Sequence, residues 1–366
     1  MRYLLAVACS LLSLVLITPA FAAKASPVAR LEGQAYVIRA NSSHYLACWS
    51  QLPNGKSRLY VIETNKGDVQ TVATEDLPGG ICWVPNRDQL LWCYGVYVEP
   101  IKATRVYYNV YDIASKESTK VVEVTDFTQD YQADMIAADD GSLVFHVTMD
   151  GNSMPSFNVY YPPGQGRAAK GGNSGKGTVQ LLQADAKIGA QYDLSSDGAH
   201  VYWLLHDPKT NTMSIASWSI NGGKYDGLYE YNQRSDPAED HMFLKVDTTK
   251  HQAAAIVTSS KDPRLQLCVY MLDKLSSMPV YLQPGEQVDY FDWKGRSGLI
   301  YALISSGQGK NFSIEEIDPL TSKRTQLYST THQLYSVEYG PDGNYFFALV
   351  DNKNASKPVT DVLRLK

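Results

Sequence analysis

Apolar and polar positions along this chain form a pattern that returns about every fifty residues. The pattern is plainest in two stretches, LSSDGAHVYW from Leu194 and YGPDGNYFFA from Tyr339. Each stretch places an Asp-Gly pair between two short apolar segments, which is typical of a β-hairpin. With the glycine as a reference, the same apolar positions recur seven times, at spacings of roughly 44 to 57 residues. The seven reference positions are Ser43, Arg87, Gly141, Gly198, Lys250, Ser297 and Gly343.

Each repeat is predicted to contain four short strands. Six positions before the reference, every repeat carries an apolar or aromatic residue, and alternate residues share one face of a strand. A second strand follows the turn, as in HVYWLL, and further apolar segments such as SRLYVIET and DVQTVA supply a third and often a fourth. Four strands at a fixed period, with no convincing helix between them, are typical of a propeller blade. We therefore predict an all-β fold, a seven-bladed β-propeller of four-stranded antiparallel blades.

The two ends of the chain are predicted to close this ring. The last repeat contains three apolar segments and ends at TDVLRLK, so it lacks an outer strand. The segment PVARLEGQ, residues 27–34, precedes the first repeat and can supply that strand. We therefore expect an N-terminal strand to complete the last blade, which leaves the ring without a long exposed edge.

The two Asp-Gly stretches resemble the TolB-type or PD40 repeat, a WD40-like propeller repeat whose core reads roughly W-S-P-D-G-K-x-I-A-F. WVPNRDQLLW from Trp83 and WKGRSGLIYA from Trp293 are weaker copies. The resemblance covers most of the chain by period and implies a propeller, often with a binding or scaffolding role in the bacterial envelope. The chain departs from TolB itself, because it has no room for TolB's separate N-terminal domain and carries seven repeats rather than six. The repeat also occurs in peptidase propellers, where a hydrolase domain is attached.

The first 22 residues predict export of the protein. A basic residue precedes a short apolar run, and Ala20-Phe21-Ala22 fits a signal-peptidase site. We expect a signal peptide over residues 1–22, cleaved after Ala22, and a single propeller domain over residues 23–366 in the periplasm or outside the cell. No later segment is apolar enough to span a membrane, and the net charge of −5 argues against nucleic acid as a partner. We expect a monomer.

Four cysteines follow the predicted cleavage site, and two of them are close in sequence. Cys82 and Cys93 flank the short turn in ICWVPNRDQLLWC, so a hairpin could place them opposite each other. A disulfide and a pair of buried thiols are both compatible with this spacing. The chain has no C-x-x-C motif, so it lacks the usual signature of a redox or zinc site.

Charged residues recur at one position of the predicted innermost strands, five residues before the reference. Because these strands surround the axis of a propeller, we expect their side chains to meet there with two nearby aspartates. The six candidate ligand-binding residues are Asp134, Asp193, Lys245, Asp289, Asp292 and Glu338. Such charges are costly unless they are paired, hydrated or bound to metal. One interpretation is a ring of ion pairs around Lys245 with channel water. The other is a site where Asp193, Asp292 and Glu338 hold Ca²⁺ or another hard cation, or where a cationic ligand binds.

No recognisable catalytic motif accompanies these charges. The G-x-S-x-G nucleophile motif is absent, and GGNSGKGT from Gly171 does not fit the P-loop pattern. The predicted connections between blades are rich in acidic residues, which indicates an acidic top face. We therefore predict a non-catalytic propeller that requires no cofactor and binds an envelope protein, peptide or glycan through that face. The alternative is a propeller enzyme, a lyase, lactonase or glycan hydrolase, acting at an axial carboxylate or metal site.

Overall fold

The computed structural model is an all-β propeller. It describes residues 24–366 except 42–43, 127–134, 138–142, 150–154, 162–177, 184–191, 196–198, 208–211, 221–223, 235–239, 260–261, 341–344 and 353–354. The predicted signal peptide and both Asp-Gly turns lie outside the described residues. The prediction of an all-β propeller with four-stranded antiparallel blades is confirmed. Among the described residues, no helix is long and apolar enough to cross a membrane.

The described strands form seven four-stranded sheets, numbered here as blades 1 to 7 in chain order. Blade 1 contains β2 (Gln34–Ala40), β3 (Tyr45–Gln51), β4 (Ser57–Glu63) and β5 (Asp68–Glu75). Blade 2 contains β6 (Leu77–Trp83), β7 (Gln89–Val98), β8 (Ala103–Asp112) and β9 (Glu117–Asp126), with a 3₁₀ helix over Glu99–Ile101. Blade 3 contains β10 (Met135–Ala137), β11 (Leu143–Met149), β12 (Pro155–Tyr161) and β13 (Thr178–Gln183).

The remaining blades repeat this order of strands. Blade 4 contains β14 (Tyr192–Leu194), β15 (His200–Asp207), β16 (Thr212–Ser219) and β17 (Lys224–Arg234). Blade 5 contains β18 (Asp240–Asp247), β19 (Gln252–Thr258), β20 (Leu265–Met271) and β21 (Ser276–Tyr281). Blade 6 contains β22 (Glu286–Trp293), β23 (Ile300–Ser306), β24 (Asn311–Asp318) and β25 (Lys323–Thr330). Blade 7 contains β26 (Leu334–Tyr339), β27 (Phe346–Asp351), β28 (Val359–Leu365) and, from the N-terminus, β1 (Ala25–Glu32).

The N-terminal strand β1 takes the outer position of blade 7. It runs antiparallel to β28, with Ala25 opposite Leu365. The chain then enters blade 1 through Gly33, whose φ of +88° favours glycine. A Cβ at this position would overlap the carbonyl oxygen of Gln51, so a larger residue would collide with the backbone of β3.

One buried hydroxyl fixes the junction between this outer strand and blade 1. Thr360 is completely buried, and its hydroxyl donates a hydrogen bond to the carbonyl oxygen of Gly33 at 2.9 Å. The hydroxyl oxygen of Thr360 in turn accepts a hydrogen bond from the N–H of Ala35, also at 2.9 Å. Two segments that are distant in sequence are therefore joined at one side chain.

The apolar cores lie between neighbouring blades. Six consecutive residues of β19 are buried, because adjacent blades cover both faces of a middle strand, whereas the outer strand β25 contains no fully buried residue. The apolar clusters of the described residues number seven, and each joins two consecutive blades. One of them joins blades 7 and 1 through Phe347 and Ile38. Burial of a side chain such as Phe347 contributes about 1.5–3 kcal/mol, so this interface stabilises the closed ring.

The four cysteines that the structure describes are buried thiols, as in the second of the two alternatives given for Cys82 and Cys93. No disulfide joins the cysteines that the structure describes. Cys82 lies opposite Leu91, not Cys93, in the pairing of β6 with β7. Both thiols belong to the apolar cluster between blades 2 and 3, where they act as small apolar side chains.

Candidate functional site

Five blades present a charged side chain at the same level of the central channel. Each of these residues lies one or two positions before the end of its innermost strand. Each occupies the strand face that is turned toward the following blade, because the residue opposite it on the second strand belongs to the core at that interface. The side chain of Arg39 extends back to Glu338 of the preceding blade. We call this group the axial cluster: Arg39, Asp193, Lys245, Asp292 and Glu338.

Two ion pairs connect the axial cluster from blade to blade. Lys245 Nζ lies 3.5 Å from Asp292 Oδ2, and Arg39 Nη1 lies 3.8 Å from Glu338 Oε2. These four side chains keep 17% to 31% of their surface exposed, so they reach solvent within the channel. With Asp193, three carboxylates share two cations, and the fully ionised cluster carries one net negative charge.

Two of the carboxylates also bind the backbone of the following blade. The N–H of Val246 donates to Asp193 Oδ2 at 2.6 Å, and the N–H of Ala40 donates to Glu338 Oε1 at 3.4 Å. Hydrogen bonds of this kind favour the ionised form of a carboxyl group. The cluster therefore also connects blade 4 to blade 5 and blade 7 to blade 1.

Two tyrosines of blade 6 form a wall beside the cluster. The hydroxyl of Tyr290 donates to Asp292 Oδ2 at 3.3 Å, and the rings of Tyr290 and Tyr301 lie 6.3 Å apart. Burial raises the pKa of both tyrosines, with a further contribution from nearby negative charge. Both hydroxyls therefore remain protonated and can donate hydrogen bonds at neutral pH.

Burial raises the pKa of two axial carboxyls toward neutrality. The pKa of Asp193 rises to about 6, mainly through desolvation, although the positive charge of Lys245 opposes the rise. The pKa of Glu338 rises to about 7 for the same main reason, and Arg39 opposes it. The pKa of Lys245 is raised, chiefly by Asp292, so this ammonium stays charged. Carboxyl groups in this state gain from any additional positive charge brought close to them.

The sequence alignment of the first repeat is out of register by one residue. It places Ile38 at the axial level, whereas the structure buries Ile38 in the core between blades 7 and 1 and turns Arg39 into the channel. Arg39 is the functional residue that the sequence analysis missed. Its charge could have revealed the misalignment, because the other six repeats carry an apolar or aromatic residue at the position aligned with Arg39.

Two predicted site residues are not part of the axial cluster. Asp289 lines a cavity between blades 6 and 7, where its carboxylate accepts a hydrogen bond from the Ser305 hydroxyl at 3.1 Å. Asp134 lies outside the described residues. So do large parts of the connections predicted to form an acidic top face, including residues 127–134, 184–191 and 235–239.

The axial carboxylates are interleaved with cations. In the described part of the chain, no group of three or more His, Cys, Asp or Glu side chains is placed to hold a metal ion. Lys245 and Arg39 supply positive charge to the carboxylates instead. Ca²⁺ at Asp193, Asp292 and Glu338 stays a prediction.

The fold is similar to the propeller domains of peptidases. No protein-family model matches the chain, and no curated protein matches it in sequence. The β-propeller domain of the Trilobed protease from Pyrococcus furiosus aligns with a TM-score of 0.59 and 8% identity, over 91% of this chain and 96% of that one. That domain is described as having an open velcro topology, whereas β1 pairs with β28 here.

Two larger enzymes contain a similar domain. The acylaminoacyl peptidase of Pyrococcus horikoshii aligns with a TM-score of 0.57 and 10% identity, over 91% of this chain and 51% of that one. A structure from a study of two prolyl endopeptidases aligns with a TM-score of 0.53 and 14% identity, over 88% of this chain and 46% of that one. The chain spans about half the length of these two peptidases, and identities this low show the fold alone.

These comparisons correct the functional prediction. The prediction of a non-catalytic scaffold of the cell envelope is contradicted, since the propellers to which this chain is similar are domains of peptidases. They do not favour a lyase, a lactonase or a glycan hydrolase, so the alternative prediction has only loose support. The propeller fold is shown, while the TolB-type family is not.

Proposed function

We propose that this propeller binds peptides for a peptidase-type reaction and recognises a positively charged group of the peptide at the axial cluster. The similar propellers belong to a protease, an acylaminoacyl peptidase and a prolyl endopeptidase, which supports peptides as the ligand class. The sequence contains no G-x-S-x-G motif. The proposal therefore concerns recognition of the peptide and assigns no hydrolytic nucleophile to this chain.

The observation that carries this proposal is the charge imbalance of the axial cluster. Three carboxylates from three blades share two cations, and burial raises the pKa of both Asp193 and Glu338. An ammonium or guanidinium group from a ligand would supply the missing positive charge where limited solvent strengthens ion pairs. A peptide carries such a group at its N-terminus and on lysine or arginine side chains.

The setting and the repeat family form part of the same proposal. The predicted signal peptide over residues 1–22 supports work in the periplasm or outside the cell, and we propose that the chain works there as a monomer. The sequences LSSDGAHVYW and YGPDGNYFFA support membership of the TolB-type or PD40 repeat class. Neither point is needed for peptide binding at the axis.

Calorimetric titration of the purified chain tests the proposal with two short peptides. Arg-Ala-Ala amide carries two positive charges, and acetyl-Ala-Ala-Ala amide is its neutral counterpart. We expect saturable binding of the basic peptide and at least about tenfold weaker binding by Glu338→Gln, because the ligand cation loses its carboxylate partner.

The matched control is Glu123→Gln. Glu123 also lies near two cations, Arg105 at 3.8 Å and Lys120 at 3.3 Å, but on the outer strand of blade 2. We expect this variant to bind the basic peptide as the wild type does. Equal affinity for the two peptides, or undiminished binding by Glu338→Gln, would overturn the proposal.

A further inference from the structure

Innermost strands of several blades contain a β-bulge, and two of these bulges contribute to one cavity. The extra residue is Asp289 in blade 6 and Tyr335 in blade 7. Neither is paired with a residue of the second strand of its blade. A bulge breaks the regular alternation of side chains and redirects the residue that it contains. Both redirected side chains line the same cavity between blades 6 and 7.

This cavity has an apolar floor and a polar rim. Its volume is about 390 Å³, which lies within the usual range for small-molecule sites. The floor consists of three buried side chains: Leu303, Phe312 and Leu334. The polar groups at the rim come from Asp289, Ser305 and Gln333. A ligand that fits this cavity would combine a short apolar body with a polar or charged end.

The charge at the rim is negative, and none of the described residues forms an ion pair that neutralises it. Ser305 donates a hydrogen bond to Asp289 Oδ1, which leaves the second carboxylate oxygen for a ligand. No lysine or arginine of the described residues forms an ion pair with this carboxylate. Partial desolvation raises the pKa of Asp289, although the hydrogen bond from Ser305 opposes the rise. The site therefore differs from Asp292 on the same strand, which has Lys245 as its partner.

We propose that this cavity binds an organic ammonium ion, with its short alkyl chain on the apolar floor and its ammonium group at Asp289. A primary ammonium has three N–H donors. The rim offers acceptors for them in the Asp289 carboxylate, the Ser305 hydroxyl oxygen and the side-chain oxygen of Gln333. A free alkylamine and the side chain of a peptide lysine share this chemistry. This cavity is separate from the axial cluster, so the proposal does not depend on peptide binding at the axial cluster.

Ligand-observed NMR titration of the purified chain at pH 7.5 tests the proposal. The first pair of probes is n-pentylamine and n-pentanol, which differ in charge but hardly in shape. The second pair is the peptide acetyl-Ala-Lys-Ala amide and the same peptide acetylated on its lysine. We expect saturable binding of at least one amine probe and at least about tenfold weaker binding of its uncharged counterpart. Binding of the amine alone identifies free amines as the ligand source, and binding of the peptide identifies lysine side chains.

Variants then locate the binding site. Asp289→Asn should weaken amine binding at least about tenfold. The matched control, Asp76→Asn, removes an exposed carboxylate in the connection between blades 1 and 2 and should leave amine binding unchanged. The titrations are repeated in Glu338→Gln, in which amine binding at the axial cluster is weakened; amine binding that persists in this variant and is lost in Glu338→Gln/Asp289→Asn belongs to this cavity. Equal binding of charged and uncharged probes, or full binding by Asp289→Asn, would overturn the proposal. The comparison of probes in Glu338→Gln changes no residue of this cavity, so it decides the matter even if Asp289→Asn does not fold.

Discussion

Replacing Glu338 with glutamine is expected to stabilise the protein at alkaline pH and to leave its stability unchanged at acidic pH. Burial raises the pKa of this carboxyl from 4.5 to about 7 in the folded state. The folded protein therefore holds this proton more tightly than the unfolded chain does. The stability that the protonated carboxyl contributes is fully present below about pH 4.5 and is lost as the pH rises through about 7.

The size of this effect follows from the two pKa values. A rise from 4.5 to about 7 corresponds to roughly 3 kcal/mol in the free energy of unfolding. Only 17% of the Glu338 side chain is exposed, so solvent screens the effect weakly. Glutamine resembles the protonated carboxyl and keeps this stability at every pH.

Urea unfolding followed by tryptophan fluorescence measures this difference at pH 4, 6 and 8. We expect Glu338→Gln and the wild type to unfold alike at pH 4 and to differ by about 3 kcal/mol at pH 8, with the variant more stable. Glu123→Gln, on an outer strand, should show no such gain. The reasoning fails if Glu338→Gln is less stable than the wild type at pH 8, because the ion pair with Arg39 would then outweigh the cost of burial.

Four further predictions concern the ring closure and the axial cluster. Thr360→Val should lower the free energy of unfolding by about 2–4 kcal/mol in urea titrations, because two buried backbone groups lose their partner, whereas Thr360→Ser should lose less. Gly33→Ala should lower the melting temperature far more than Gly55→Ala: both glycines have a positive φ, but a Cβ would collide with the backbone of β3 only at Gly33. Affinity for Arg-Ala-Ala amide should increase from pH 6 to pH 8 as Glu338 loses its proton, which calorimetry at several pH values would show. Removal of divalent metals with a chelator should leave the unfolding midpoint unchanged, because Arg39 and Lys245 already compensate most of the negative charge of the axial cluster. A lower midpoint after chelation would instead favour Ca²⁺ binding at the axial carboxylates.

The blades could be predicted from the sequence because burial follows the strand order. Middle strands such as β19 are covered on both faces and read as continuous apolar runs, while the outer strand β25 is partly exposed along its whole length. The place of β1 could be predicted because the last repeat lacks one strand. Local turns and alternating apolar residues therefore carry most of the information about the fold.

The functional sites were harder to predict because their positions depend on single-residue offsets. Shifting a strand by one residue moves its side chains to the opposite face, and the first repeat, which has no Asp-Gly turn, was aligned with that error. Arg39 was missed for this reason. Asp289 sits in a bulge that breaks the alternation on which such alignments depend. Whether a charge is paired is also a three-dimensional property, and the sequence alone could not show that Arg39 meets Glu338.

The pairing of β1 with β28 has a consequence for how the ring responds to force. Ala25 and Leu365 lie opposite each other at one end of this strand pair, and the backbones of Lys24 and Lys366 are hydrogen-bonded to each other. A force applied to these two ends would act in an unzipping geometry, in which the backbone hydrogen bonds between β1 and β28 break one after another and not all at once. The ring should therefore open at a low force by peeling this strand away, before tension reaches the six blades that are built from consecutive strands.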